Sequence, residues 1–131
     1  MHALLDYADE RRLAVAVATS TERSLAEFTL RCGGLGDRFR VIVTGDEIAN
    51  GKPAPDIYLE AARRLGVPPS QCVALEDSDA GILSASRARM TALMVPDLKP
   101  PSAAASEAAF RVLRTLDDAA SVIAALLDGR S

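Results

Sequence analysis

Residues 72–81 read Cys-Val-Ala-Leu-Glu-Asp-Ser-Asp-Ala-Gly. An apolar run of strand length, Cys72 to Leu75, passes directly into Glu76 and Asp77 and then into a helical pattern. A continuous apolar run is typical of a parallel strand that helices cover on both faces. The sequence therefore predicts a buried strand whose carboxyl end presents two adjacent carboxylates.

The same alternation of apolar run and helical pattern extends along the whole chain. Three further apolar runs predict strands, at Leu13–Ala18, Val41–Val43 and Thr91–Val95. We expect Val112 and Leu113 to form a short edge strand, and residues 96–109, rich in Pro, Ser and Ala, to form a surface loop. Alternating strands and helices predict an α/β fold, a doubly wound and mostly parallel sheet with helices on both faces.

Length and composition limit the possible classes of protein. The 131 residues correspond to one domain, 1–131. A net charge of −3 and a pI of about 5.1 argue against nucleic-acid binding through a basic face, and no apolar run is long enough to span a membrane. Nothing in the start of the chain or in its two cysteines points to secretion, so we expect a cytoplasmic protein with Cys32 and Cys72 buried.

Helical spacing predicts the buried face of the helix that follows the first strand. Four residues recur at i, i+3, i+4 and i+7, namely Leu25, Phe28, Thr29 and Cys32. Gly33 and Gly34 follow and are expected to end this helix.

Polar residues follow three of the predicted strands, and parallel strands bring such residues to one edge of a sheet. They are Thr19 and Ser20, Lys52, and Glu76 with Asp77. Hydroxyls at a helix start and a lysine suit an anion, and paired carboxylates suit Mg²⁺. Taken singly, each group has an ordinary alternative: the hydroxyls as helix caps, Lys52 as a solvated side chain, and Asp77 or Ser78 as the cap of the next helix.

Three segments taken together resemble the haloacid dehalogenase-like hydrolase superfamily, in its phosphatase and beta-phosphoglucomutase branch. They are Thr19-Ser20 after LAVAVA, GDEIANGKPAPDIY at 45–58 and CVALEDSDAGILSA at 72–85. The resemblance implies a Rossmann-like core and an Mg²⁺-dependent phosphohydrolase or phosphomutase. Such an enzyme acts on a small phosphorylated metabolite through an aspartyl-phosphate intermediate.

The resemblance also implies a role for each residue that matches a family motif. Thr19 and Lys52 would be catalytic, the first bonding the transferring phosphoryl group and the second stabilising its negative charge. Thr19, Ser20 and Lys52 would bind phosphate, and Glu76 and Asp77 would hold Mg²⁺.

The first motif of the family, a strand ending in Asp-x-Asp that carries the nucleophile, has no match here. Asp6 and Asp9 lie in a helical pattern with no apolar strand before them, and Asp77-Ser78-Asp79 belongs to the fourth motif. We therefore expect the N-terminal strand and the mobile cap to be missing from this chain. We expect the full-length protein to be an enzyme and this chain alone to be inactive. Arg89 is a further departure, since the family usually has a helix-ending glycine there.

Without that central strand, the strands at 13–18 and 72–75 each lose a neighbour. The sequence leaves three outcomes open: the two strands pair with each other, another chain fills the gap by self-association, or the sequence is a fragment. A non-catalytic phosphate- or metal-binding remnant also stays open as a function. A phospho-accepting receiver domain is set aside, because its acidic pair precedes its Thr and Lys along the chain.

Overall fold

The computed structural model describes residues 1–96 and 100–129. Within them, helices and strands alternate along the chain. The helices are α1 His2–Glu10, α2 Arg23–Cys32, α3 Asp56–Leu65, α4 Asp79–Arg87, α5 Ala103–Ala108 and α6 Asp117–Leu127. The strands are β1 Ala16–Thr19, β2 Val41–Thr44, β3 Val73–Glu76, β4 Thr91–Met94 and β5 Arg111–Val112.

Every pair of neighbouring strands in the described residues is parallel, which confirms the predicted α/β fold. The strands form two sheets, β1–β2 and β3–β4–β5, and β1 does not pair with β3. The sequence left three outcomes open, and the structure does not show the first of them, direct pairing of β1 with β3. In register, Thr19 lies beside Thr44 and Glu76 beside Met94, so each sheet ends on the polar residues that the sequence singled out.

Helices cover both faces, and alternation along the strands sends side chains into two clusters. On one face, α3, α4 and α5 bury Ile57, Ile82 and Ala105 against both sheets. On the other face, α1 and α6 pack on the second sheet, where Leu93 and Ala119 are fully buried. Because α3 and α4 share the first cluster, apolar packing joins the two sheets although no strand bridges them.

The predicted buried face of α2 is wrong. Its four residues are exposed, Leu25 by 53% and Phe28 by 55%, and Ala26 is the buried residue of the helix. The side of α2 that faces the sheet instead carries Ala26 and Arg23, whose Nη2 donates to the Ile42 carbonyl in β2 at 2.7 Å. The expectation of buried cysteines also fails, since Cys32 is exposed and Cys72 is half-buried.

Left-handed residues follow five of the helices in the described part of the chain. Gly34, Gly66 and Gly129 have φ of +71°, +72° and +76° and take this conformation without steric cost. Arg12 and Arg89 take it as well, with φ of +56° and +67°. The arginine that replaces the usual glycine at position 89 therefore keeps the glycine geometry, at the steric cost of a Cβ in the left-handed region.

Three sequence predictions need correction or adjustment in their bounds. The stretch 96–109 contains α5 instead of being loop throughout, because Ser102 caps a helix by accepting a hydrogen bond from the Ala105 amide at 3.1 Å; residues 97–99 of that stretch lie outside the described residues. The first strand begins at Ala16, three residues later than the apolar run. The short edge strand exists as β5, with Leu113 buried directly after it.

None of the helices in residues 1–96 and 100–129 combines the length and apolar character that crossing a membrane requires.

Candidate functional site

Lys52 joins the carboxyl ends of the two sheets. It lies in the loop between β2 and α3, and its Nζ donates to the Ala18 carbonyl in β1 at 3.1 Å and to Glu76 Oε1 in β3 at 2.5 Å. Both side chains of the ion pair are largely buried, with 12% of Lys52 and 8% of Glu76 exposed. The Lys52 ammonium is therefore fixed beside Ala18 and Glu76, the residues that directly precede Thr19 and Asp77.

Tyr58 is the site residue that the sequence interpretation missed. Its hydroxyl donates to the same Glu76 Oε1, and its ring centroid lies 5.3 Å from Lys52 Nζ. Burial raises the pKa of the Tyr58 hydroxyl, and the negative charges of Glu76 and Asp77 raise it further, so the hydroxyl keeps its proton and acts as a donor. The available signal was its place on the apolar face of α3, because a buried tyrosine hydroxyl usually has a hydrogen-bond partner.

The close approach of the Glu76 carboxylate to Gly81 explains why the motif that begins at Glu76 ends in glycine. A Cβ at Gly81 would lie 2.0 Å from Glu76 Oε2 and 2.1 Å from its Cδ. Only a residue without a side chain therefore lets the carboxylate lie against the first turn of α4. Ser78 caps that helix by accepting from the Gly81 amide at 3.1 Å, so Ser78 takes the capping role that the sequence left open between it and Asp77.

Asp77 is exposed, and its carboxylate makes no hydrogen bond or ion pair with any described residue. The described residues contain no group of three or more His, Cys, Asp or Glu side chains that could hold a metal ion. Mg²⁺ in proteins is held by one or two carboxylates and completes its shell with water and phosphate oxygens. Asp77, with the Glu76 oxygen that does not bind Lys52, fits such a partial site.

The turn after β1 is held close to the turn after β2. The Thr21 amide donates to Thr19 Oγ1 at 3.2 Å, and the Gly45 amide donates to the Thr21 carbonyl at 3.2 Å. Ser20 is exposed, and a Cβ at Gly45 would lie 2.3 Å from its carbonyl oxygen. The hydroxyls of Thr19 and Ser20 therefore lie on a turn whose backbone is constrained by its neighbour.

Asp6 and Asp9 make their contacts away from this edge of the sheets. Both are exposed on α1, where Arg38 Nη2 binds Asp6 at 2.7 Å and Asp9 at 3.3 Å. Because each carboxylate lies on α1 and pairs with Arg38 in the segment between α2 and β2, neither resembles a nucleophile at a strand end.

Known proteins resemble this chain in sequence. The family model for haloacid dehalogenase-like hydrolases matches residues 1–89. Protein CbbY of Rhodobacter capsulatus is 43% identical over 96 residues, which are 71% of this chain and 42% of that protein. Fructose-1-phosphate phosphatase YqaB of Escherichia coli is 44% identical over 84 residues, 64% of this chain and 45% of that protein.

A solved structure gives the same result for the fold. CbbY from Rhodobacter sphaeroides, crystallised in complex with phosphate, has a TM-score of 0.77 at 34% sequence identity and covers 87% of this chain. This chain covers 52% of that structure, and it therefore spans about half the length of the relatives that it matches.

Proposed function

This chain belongs to the haloacid dehalogenase-like hydrolase family, and from that premise we propose that its carboxyl edge is the phosphate site of a phosphohydrolase or phosphomutase. The observation that carries the proposal is the position of Lys52, whose ammonium binds the end of β1 through Ala18 and the end of β3 through Glu76. A buried cation at strand ends, beside a hydroxyl-bearing turn and an unpaired carboxylate, suits a phosphoryl group and a divalent cation.

We propose a small phosphorylated metabolite as the substrate, and a phosphorylated sugar in particular. Support comes from the relative YqaB, which is named for fructose 1-phosphate, and from the phosphate bound to the related CbbY structure.

The proposed reaction transfers the phosphoryl group twice. A carboxylate oxygen of an aspartate attacks phosphorus, the bond from phosphorus to the ester oxygen breaks, and the departing oxygen takes a proton. Water, or a second substrate hydroxyl in a mutase, then takes the phosphoryl group and the carboxylate is restored. Lys52 neutralises a phosphoryl oxygen, and the Thr19 hydroxyl donates to another.

Asp77 and Glu76 would hold Mg²⁺, which when bound would supply further positive charge to the phosphoryl oxygens. The aspartate nucleophile is expected on a strand between β1 and β3, which the described residues do not form. We therefore propose that residues 1–131 bind phosphate and Mg²⁺ weakly but do not turn over phosphate esters.

Phosphate binding tests the site without requiring turnover. Titration of the chain with inorganic phosphate in the presence of Mg²⁺ is expected to show weak binding that Lys52→Gln abolishes. Arg63→Gln is the matched control, because it removes the same charge from a side chain that is 70% exposed on α3. Equal loss of phosphate binding in both variants would mean that only overall charge matters, and the proposed site would be wrong.

A turnover assay tests the missing nucleophile. The purified chain with an aryl phosphate and Mg²⁺ is expected to release no phenol above background. Turnover at the rate of an ordinary enzyme that Asp77→Asn abolishes would contradict the proposed inactivity of this chain.

A second candidate function is a non-catalytic remnant that binds phosphate or metal and self-associates. It is favoured by the separation of the two sheets, since β1 and β3 each have an edge without a strand neighbour in the described chain. An upstream reading frame that encodes an apolar strand ending in Asp-x-Asp would favour the enzyme over the remnant. The cytoplasmic location and the lack of nucleic-acid binding stay predictions.

A further inference from the structure

One oxygen of Glu76 accepts two hydrogen bonds, from Lys52 and from Tyr58. The two donors come from different places in the chain, Lys52 from a loop and Tyr58 from the buried face of α3. Tyr58 is only 7% exposed, and it belongs to the apolar cluster that joins the two sheets. Its hydroxyl is therefore fixed by the core, whereas the Lys52 ammonium is held only by its contacts with Ala18 and Glu76.

Glu76 is held on two sides. The Tyr58 hydroxyl binds Oε1, and the other oxygen lies over Gly81, where no side chain displaces it. A carboxylate fixed in this way gives Lys52 a single favourable position, which the Ala18 carbonyl completes from the other sheet. Without the tyrosine hydroxyl, Glu76 Oε1 would keep only the Lys52 ammonium as a partner.

We propose that Tyr58 is a positioning residue of the phosphate site: its hydroxyl holds Glu76, and Glu76 in turn holds Lys52 between the ends of β1 and β3. The tyrosine does not itself contact the phosphoryl group. This inference rests on the proposed function for its purpose and on the Tyr58–Glu76–Lys52 contacts for its geometry.

The chain offers a direct spectroscopic test, because it contains only two lysines, Lys52 and Lys99. Nitrogen-15 labelled lysine gives an ammonium signal for each, and Lys52→Arg assigns them. Tyr58→Phe keeps the ring and removes only the hydroxyl. We expect the ammonium protons of Lys52 to exchange with water on the order of tenfold faster in this variant, since a hydrogen bond to a charged group is lost.

Tyr7→Phe is the matched control. Tyr7 is the other tyrosine of the chain, and its buried hydroxyl has no hydrogen-bond partner among the described residues. Its replacement is expected to leave the exchange of Lys52 unchanged. If Tyr58 only fills space, Tyr58→Phe will also leave the exchange unchanged, and that result overturns the proposal.

Two further measurements keep the test decisive. If Tyr58→Phe does not fold, the hydroxyl proton of Tyr58 in the unmodified chain is expected to give a resolved signal that disappears in Glu76→Leu, which removes both acceptor oxygens; absence of this signal from the unmodified chain overturns the proposal. Addition of inorganic phosphate is expected to shift the Lys52 nitrogen signal, and to do so at severalfold higher phosphate concentration in Tyr58→Phe. No shift in the unmodified chain counts against the proposed function, whereas the exchange rates still decide the role of Tyr58.

Discussion

Replacement of Gly81 by alanine tests whether Glu76 is fixed at the end of β3. The new Cβ would lie 2.0 Å from Glu76 Oε2, so the carboxylate or the helix has to move. A free glutamate would swing away at little cost, because the clash involves the far end of a flexible side chain. This glutamate is bound by Lys52 and Tyr58, and any swing breaks both contacts.

The contacts set the size of the effect. Lys52 is only 12% exposed, so a displaced Glu76 leaves a largely buried ammonium without its counter-ion. Breaking a buried ion pair from one side costs about 3–5 kcal/mol. Alanine is favoured over glycine in a helix by about 1 kcal/mol, which offsets part of that cost. We therefore expect Gly81→Ala to lower the free energy of unfolding by about 2–4 kcal/mol.

Urea unfolding at one fixed protein concentration measures this loss, with the exchange of the Lys52 ammonium as a local readout. Gly51→Ala is the matched control, since no atom lies within 4 Å of its added Cβ, and it is expected to change stability by less than about 0.5 kcal/mol. A Gly81→Ala chain as stable as the Gly51→Ala chain, with unchanged Lys52 exchange, would refute the idea that Glu76 is held in place.

Four other perturbations follow from the structure. Gly45→Ala would set a Cβ 2.3 Å from the Ser20 carbonyl, a backbone atom that cannot swing away, so its unfolding midpoint should fall well below that of Gly51→Ala; equal midpoints would contradict this close approach. Arg89→Gly should raise the free energy of unfolding by about 0.5–1 kcal/mol, because it removes a Cβ from a left-handed residue, and a loss of stability would count against strain there. Burial raises the pKa of Glu47, but hydrogen bonds from Arg23, the Thr44 amide and Arg64 outweigh burial and hold that pKa below its ordinary value of 4.5. Its contribution is therefore present above that value and lost as the pH falls through the lowered pKa, so unfolding at pH 7 and pH 3 should show a smaller loss for Glu47→Gln than for the unmodified chain. Finally, sedimentation should show concentration-dependent association through the open edges of β1 and β3, and a monomer with a sharp two-state transition would be inconsistent with it.

The sequence was informative where a residue's environment is set by its immediate neighbours in the chain. Strand ends, the helix start at Ser78 and the helix stop at Gly66 depend on local geometry, and they were predictable to within a few residues. The buried face of α2 was not predicted, because the side of the helix that faces the sheet depends on contacts with residues distant in sequence, such as the Ile42 carbonyl that Arg23 binds. Apolar spacing alone cannot report such a contact.

The residues of the candidate site likewise fall into those that the sequence predicted and those that it did not. Lys52, Glu76 and Asp77 were identified because each follows a strand, and strand ends meet at one edge. Tyr58 was missed because its apolar ring fits the helical pattern of α3, and only the three-dimensional structure brings its hydroxyl to Glu76. The pairing of Lys52 with Glu76 was likewise invisible, since the two residues are 24 positions apart.

The Lys52–Glu76 pair is not explained by stability. Removing two charges from water costs several kcal/mol for each ion, and apolar residues of similar volume often serve as well or better in such a place. Below the pair, the core is built from residues such as Ile57 and Ala74 that would pack against apolar neighbours without that cost. The pair lies instead at the carboxyl ends of parallel strands, where open α/β sheets bind their ligands. A phosphoryl group arriving there would compete with Glu76 for Lys52, and the Tyr58 hydroxyl, by binding Glu76, reduces what that competition costs.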